Sequence, residues 1–368
     1  MLDDSVRTMV FRIAGFVLLA AATDCAITPP PTPVVTPPPV PAVTAPPAPE
    51  ASALGRLAAS MSPGQWAPFT MGGLSGALLY ADGPSVHTLL GYAARGHWDG
   101  VHKKISFTGV SHTGGQYIAN AGALLTWDDA TNQWTRESYK WNVYDPGHSY
   151  YHNTLNQSTG DLYFRQFNSA TVYRHAYGSK GQAAWERDQV ANVPNQARQV
   201  AGGLEWFPEL NGGAGGLVFI DTLGASWSNA ALTSWTSTSN LTSGRYHNWI
   251  ASAGGFVYWG GGGGLTVMYR LSPTGSAVKL PNTPIPAGVN EDAGIVLTHP
   301  NSKNLLLFGT AAGGPVYRFD GATWTSAATH QIGGQLWVGF TVPDYGVIVF
   351  VRHENVGTGA GSAIVFKP

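Results

Sequence analysis

The sequence predicts an all-β protein: a β-propeller of six four-stranded blades, or seven if residues 74–90 form a small sheet of their own. Three observations predict it. Glycine (47), tyrosine (15) and tryptophan (13) are abundant while charged residues make up only 11% of the chain. That is the composition of short aromatic strands joined by tight turns, not of long amphipathic helices. Tryptophans recur late in several similar units, at Trp134, Trp185, Trp235 and Trp324, at intervals of 51, 50 and 89 residues. The last interval is about two units, and periods of roughly 40 to 50 residues belong to four-stranded blades. Within each unit one order returns: an aromatic or histidine-bearing strand, a turn, an apolar strand, a third strand and the tryptophan segment.

From the N-terminus, residues 13–22 (IAGFVLLAAA) form an apolar run behind Arg7 and Arg12. About ten residues are too few to span a bilayer and fit the h-region of a signal peptide, so residues 1–24 are read as an export signal. Asp3 and Asp4 are atypical of its first part, which makes Met9 an alternative start. The competing reading, a buried helix, is opposed by the proline-rich tract that follows directly. Cys25 is the sole cysteine, and Ala22-Thr23-Asp24-Cys25 resembles a bacterial lipoprotein lipobox. Asp24 stands where that motif has a small residue, so acylation of Cys25 and plain secretion after cleavage at Ala22 both stay open. Either route leads outside the cytoplasm, to an extracellular, periplasmic or surface-attached protein. The folded part then has no disulfide, thiolate nucleophile or thiolate-bound metal. Residues 25–62 are read as a spacer around the tract at 28–49, TPPPTPVVTPPPVPAVTAPPAP. Proline fixes φ and removes amide donors, which favours an extended polyproline-like arm; a recognition ligand for another domain is the alternative.

The propeller is expected over residues 63–368. Apolar second strands are read at 162–165, 257–259, 305–308 and 347–350, and third strands at 172–175, 267–270 and 316–319. The blades then run approximately over 88–138, 144–190, 198–240, 245–283, 291–328 and 335–367. The last stops after its third strand, and residues 64–69 (GQWAPF) supply the missing fourth. A ring closed by this N-terminal strand leaves no exposed sheet edges. The blade order, with phrases such as LEWFP at 204–208 and YGVIVF at 345–350, resembles the kelch and galactose-oxidase-like propellers of secreted bacterial proteins. The radical copper chemistry of galactose oxidase needs a Cys–Tyr thioether, and no cysteine follows position 25, so that activity is expected to be absent.

Residues 147–153 (GHSYYHN) concentrate the most chemistry, and residues 244–249 (GRYHNW) repeat their His-Asn pair. His148, Tyr150 and His152 are spaced by two, so on an innermost strand they fall on one face, toward the channel. Asp145-Pro146-Gly147 marks a turn, which would leave His148 and Tyr150 open to the cavity. Arg245 and His247 share a face, with Tyr246 opposite unless a bulge turns it inward. Histidine can take a proton near neutral pH, tyrosine can give one and arginine can neutralise a carboxylate. That set suits β-elimination of a uronate-containing polysaccharide, and it resembles the propeller-fold ulvan lyases. The resemblance implies His148 or His152 as base, Tyr246 as acid and Arg245 or Arg270 as neutraliser. Tyr150, Asn153, Trp206, His247 and Arg270 would hold substrate. The competing reading is structural: the His152-Asn153 and His247-Asn248 pairs would tie neighbouring blades through backbone carbonyls.

Other chemistries find less support. His148 and His152 would lie roughly 13 Å apart on a strand, too far for one zinc; a cross-blade site with His97, His102 and His112 is the remaining metal reading. No cofactor is expected, and a structural ion is not indicated. Glu205, Glu209, Glu291 and Asp292 are the candidate acids for glycoside hydrolysis, yet none repeats beside the histidines. The glycine run at 260–264 lacks the Lys-Ser/Thr and helix of a phosphate loop. A net charge of −1 without a basic run argues against nucleic acid. Trp206, Trp249, Trp259 and Trp337 could stack on sugars or pack between blades. The sequence reading is therefore an exported, spacer-mounted, monomeric propeller that meets an extracellular polysaccharide and touches a membrane only through a lipid anchor. Its expected activity is polysaccharide lyase; the alternative is a non-catalytic carbohydrate- or protein-binding module.

Overall fold

The computed structural model describes residues 52–82, 85–90, 93–110, 122–139, 149–165, 169–180, 185–186, 189–194, 202–238, 241, 248–261, 265–288, 294–309, 313–332, 337–355 and 360–368. The signal segment, Cys25 and the proline-rich tract lie outside the described residues. All of the described residues belong to one compact unit, Pro47–Pro368. That unit begins earlier than the expected spacer boundary at 62. Helix α1 (Ala53–Ser60) opens on Ser52, whose Oγ accepts the Gly55 amide at 2.9 Å, satisfying one of the helix's orphan donors. Leu54 and Ala58, one turn apart on the same face, are buried in the propeller core. Lys367 Nζ donates to the Ala58 carbonyl at 2.8 Å. Two buried apolar residues in a single eight-residue helix are too weak a periodic signal to read beside a proline tract.

Strand β1 (Trp66–Phe69) follows, then α2 (Leu74–Leu78) and a hairpin of β2 (Leu79–Asp82) and β3 (Ser85–Thr88). The hairpin stays two-stranded, so residues 74–90 make no seventh blade.

Six four-stranded antiparallel sheets form the propeller. Blade one contains β4 (His97–Asp99), β5 (Lys104–Val110), β6 (Gly122–Asp128) and β7 (Gln133–Tyr139). Blade two contains β8 (Asn153–Asn156), β9 (Asp161–Arg165), β10 (Val172–His175) and β11 (Trp185–Glu186). Blade three contains β12 (Gly203–Phe207), β13 (Gly216–Ile220), β14 (Ala225–Ser228) and β15 (Trp235–Ser237). Blade four contains β16 (Asn248–Ala253), β17 (Phe256–Gly261), β18 (Met268–Leu271) and β19 (Ala277–Leu280). Blade five contains β20 (Ile295–Thr298), β21 (Leu305–Phe308), β22 (Pro315–Phe319) and β23 (Trp324–Thr329). Blade six contains β24 (Trp337–Val342), β25 (Val347–Asn355) and β26 (Ala360–Phe366), and its outer strand is β1, paired antiparallel to β26 with Trp66 opposite Phe366.

The first strand of each blade packs against the first strand of the next, and β24 packs against β4, so six inner strands encircle one axis. Second strands are the most apolar because neighbouring blades cover both of their faces. Every residue of β9, β13 and β21 is buried, which is why they read as continuous apolar runs rather than alternations. Outer strands such as β15 and β23 are largely exposed. Tryptophans of outer strands reach back across the blade boundary: Trp235 Nε1 of β15 donates to the Ala191 carbonyl at 2.9 Å and Trp66 Nε1 of β1 to the Thr329 carbonyl at 3.0 Å. At the end of β17, a side chain on Gly260 would strike the Val267 carbonyl and one on Gly261, at φ +73°, the Ala287 carbonyl. The glycine run thus permits close backbone approach. Among the described residues, no helix is long and apolar enough to cross a membrane.

Candidate functional site

A belt of side chains along the inner strands ties the blades together around the axis. His97 Nε2 donates to the Asn153 carbonyl at 2.9 Å, and Thr154 Oγ1 accepts the Trp206 amide at 2.7 Å. Glu205 accepts the Ser252 amide and hydroxyl, both at 2.8 Å, and Thr154 Oγ1 donates to the same carboxylate at 3.4 Å. Thr298 Oγ1 donates to the Ser252 carbonyl and Thr341 Oγ1 to the Thr298 carbonyl, each at 2.7 Å. Backbone bonds between Gly339 and the 94–96 segment join blade six to blade one.

Arg95, just before β4, crosses the channel. Its guanidinium donates to the Glu205 carboxylate at 2.7 Å, the Ile250 carbonyl at 2.6 Å, the Leu204 carbonyl at 3.3 Å and the Asn153 carbonyl at 3.5 Å. It lies 5.2 Å over the Tyr151 ring. Tyr151 comes from blade two, and its hydroxyl meets the backbone of Val296 in blade five, the opposite side of the ring. Burial pushes the Tyr151 hydroxyl up to about 12, so it stays protonated. Arg95 and Tyr151 thus both reach across the ring of inner strands.

Arg95 also borders a pocket of about 230 Å³, lined among others by His97, Trp98, Gln157, Glu205, Ser252, His299 and Ser302. Residues 95–98 and the turns after β8, β20 and β24 form its rim. Burial, and next the Arg95 charge, hold His97 well below the usual imidazole range. His97 is thus neutral at pH 7, and the Asn153 carbonyl fixes its proton on Nε2, leaving Nδ1 as an acceptor. His299 is lowered by burial and then by Arg318. Its Nδ1 accepts the Asn301 amide at 3.1 Å, so its proton lies on Nε2. Of the two imidazoles in the lining, His97 thus carries an unprotonated Nδ1 and His299 a protonated Nε2. Its charged pair, Arg95 and Glu205, is internally matched.

Those of the expected site residues that the structure describes do not line this pocket. His148, Arg245, Tyr246 and His247 lie outside the described residues. Over the described residues 149–152 the expected alternation is interrupted: the His152 amide bonds to the Ser149 carbonyl at 2.7 Å in a turn, and β8 starts only at Asn153. His152 is fully buried, 3.1 Å from the Arg165 guanidinium, which burial lowers to about 9. Tyr150 is buried with its ring edge-on to His152 at 6.4 Å. Asn153 is fully buried, and its backbone carbonyl serves His97. Trp206 stacks on Tyr163 at 5.7 Å between blades two and three. Arg270 sits on the third strand of its blade, 4.4 Å over Phe256, away from the axis. Trp249 and Trp259 are fully buried, with Trp259 stacked on Tyr269. Among the described residues, no three His, Cys, Asp or Glu side chains converge as a metal site would require. Arg95, His299 and the hydroxyl belt escaped the sequence reading, although Thr298-His299-Pro300 and Thr341-Val342-Pro343 repeat a Thr-Xaa-Pro phrase at two of the pocket's turns.

No family model and no curated protein matches the chain. Solved structures do. A structural genomics protein of unknown function from Bacteroides thetaiotaomicron is 12% identical with a TM-score of 0.51, covering 82% of this chain and 76% of that one. An auxiliary nutrient binding protein from Bacteroides ovatus is 12% identical with a TM-score of 0.50 and the same coverage. A streptogramin B lyase structure is 11% identical with a TM-score of 0.45, covering 82% of this chain and 97% of that one. At such identities the likeness concerns the six-bladed propeller fold, which hosts varied functions. It lends no support to the finer resemblance to kelch propellers or to ulvan lyases.

Proposed function

We propose that this protein is an exported recognition propeller that holds an uncharged sugar unit of an extracellular glycan, without chemistry, in the pocket at the turns after the inner strands. The observation that carries this reading is the pocket's neutrality. Arg95 is matched by Glu205 and by three carbonyls, and the two imidazoles are uncharged at pH 7 and present opposite hydrogen-bonding roles. A uronate carboxylate would need a free cation, and the described lining supplies none beyond the engaged Arg95. A hydroxyl both donates and accepts, and so can answer His97 Nδ1 and His299 Nε2 alike. Trp98 and Leu297 provide apolar wall.

Elimination remains the second reading, carried by residue types at His148, Arg245 and Tyr246. One experiment separates the two. The full chain is titrated calorimetrically with neutral mono- and oligosaccharides, and in parallel incubated with uronate polymers while the ultraviolet absorbance of an unsaturated uronate is followed. Binding of a neutral sugar is expected, weakened about tenfold or more in His299→Ala through loss of one buried hydrogen bond. Absorbance that rises with wild type and stays flat in Tyr246→Phe would overturn the recognition reading in favour of elimination.

A further inference from the structure

Next to the pocket, on the turn between β4 and β5, stands a second cluster. Asp99, almost fully buried, accepts the Val101 and His102 amides on Oδ1, both at 3.0 Å. Its Oδ2 accepts His102 Nδ1 at 2.6 Å. The His102 ring lies flat on Tyr177 from blade two, with centroids 3.4 Å apart and planes 9° from parallel. Gly160 closes in beside it, since a side chain there would meet Asp99 Oδ2 and His102 Nδ1. Tautomer, rotamer and ring plane are thus all fixed. The proton sits on Nδ1, and Nε2 has no bonding partner among the described residues while the side chain is 26% exposed. Two of the large exposed apolar residues flank it, Val101 at 59% and Tyr177 at 42%. The neighbouring cations are matched, Lys103 by Asp344 and Lys104 by Asp128.

A histidine that served only to join two blades would gain nothing from one fixed, open ring nitrogen. A preorganised ring nitrogen beside exposed apolar side chains suits a hydroxyl carried on a hydrocarbon face, which is the chemistry of a pyranose, and its conformational entropy is already spent. The turn at 156–160 connects the two places: Gln157 lines the pocket and Gly160 abuts the imidazole.

We propose that Asp99, His102, Tyr177 and Val101 form a second sugar subsite, which takes the residue adjoining the one held in the pocket, so that the protein reads an oligosaccharide and not a lone sugar. This rests on the pocket's assignment as a sugar site. His102 Nε2 accepts a hydroxyl proton, Val101 lies against the ring's hydrocarbon edge, and Asp99 and Tyr177 are positioning residues.

The test is a calorimetric series on the full chain with neutral glucose, galactose and mannose as monosaccharides and as di-, tri- and tetrasaccharides. Wild type should gain about tenfold in affinity from the bound monosaccharide to its disaccharide and little afterwards. In His102→Phe, which keeps the stack on Tyr177 and removes the acceptor, monosaccharide affinity should stay unchanged and the gain should vanish. His102→Gln, which restores a side-chain acceptor, should recover part of it, and thermal melting checks that both variants are folded. A disaccharide gain that survives in His102→Phe, or no gain in wild type, overturns the second subsite while the pocket's assignment stands. Failure of every saccharide to bind overturns the pocket's assignment itself. Binding of a peptide in place of oligosaccharide, lost in His102→Phe, would make the rim a protein contact and overturn the proposal.

Discussion

Arg95 is a buried cation that the surrounding strands have been shaped to receive. One carboxylate and three main-chain carbonyls from blades two, three and four surround it, and its charge cannot be left unmatched in that environment. Arg95→Ala strands Glu205 beneath its remaining donors from Ser252 and Thr154. The expected loss is about 3–5 kcal/mol of unfolding free energy, read from the urea midpoint. Glu205→Gln should cost less than Arg95→Ala, because the amide oxygen still accepts from Ser252 and the guanidinium keeps its carbonyls. Equal losses would mean that the ion pair, not the carbonyl cage, holds Arg95. Nothing in Ala93-Ala94-Arg95-Gly96 signals this role, since the residues that satisfy Arg95 come from distant strands and three of its four acceptors are main-chain atoms, which no side-chain motif encodes. A main-chain bond, equally invisible to a side-chain motif, interrupts the alternation at 149–152. Alternation holds only while the backbone is extended, and the bond from His152 to Ser149 turns the chain, sending Tyr151 across the channel and His152 against Arg165.

Blade repetition, by contrast, is an element-scale signal and was legible. Apolar runs such as Leu305-Leu306-Leu307-Phe308 predict strands covered on both faces, and β21 is buried throughout. The late tryptophans marked real fourth strands because their function is geometric: an exposed outer strand needs one large side chain to reach the adjoining blade. Trp66 does this for the sixth sheet. It stacks on Phe366 with centroids 4.4 Å apart, contacts Phe350 and Phe308, and bonds the Thr329 carbonyl of blade five. Trp66→Ala should destabilise by about 3 kcal/mol, the low end for an aromatic truncation because the side chain is only half-buried. Trp66→Phe keeps the stack, loses the hydrogen bond and should cost about 1 kcal/mol. Chemical denaturation of the two variants measures both, and a Phe variant as unstable as Ala would locate the tie in the indole N–H instead of the ring. Helix α1 shows the limit of this legibility. Its stability comes from one cap and from packing on strands distant in sequence, so its own eight residues carry little pattern.

At the scale of the whole molecule, the propeller keeps several histidines in places where they resist a proton. His97, His175, His299 and His330 are each lowered, in every case chiefly by burial. The unfolded chain titrates them near the ordinary value of 6.5, whereas the folded chain accepts their protons only at lower pH. Below that value the unfolded state therefore binds more protons than the folded one. Stability that is present in full above about pH 6.5 is lost as pH falls through it toward the folded values. Buried acids act in the opposite sense: Asp129 and Asp221 are raised by burial, which favours the folded state only as pH falls through their own range above 3.8. The histidines should therefore make the melting temperature fall as pH drops below about 6.5, while the buried acids work against that fall over the range above 3.8 in which they take up protons. His330 gives the cleanest check. It is buried, its Nδ1 donates to the Ile332 carbonyl at 2.6 Å and its Nε2 lacks a partner among the described residues. His330→Phe removes one proton-binding group from the unfolded chain, so the melting temperature should fall less steeply with acidification, even if the lost bond lowers it at every pH. A slope identical to wild type would mean that His330 takes up its proton in the folded state as readily as in the unfolded one.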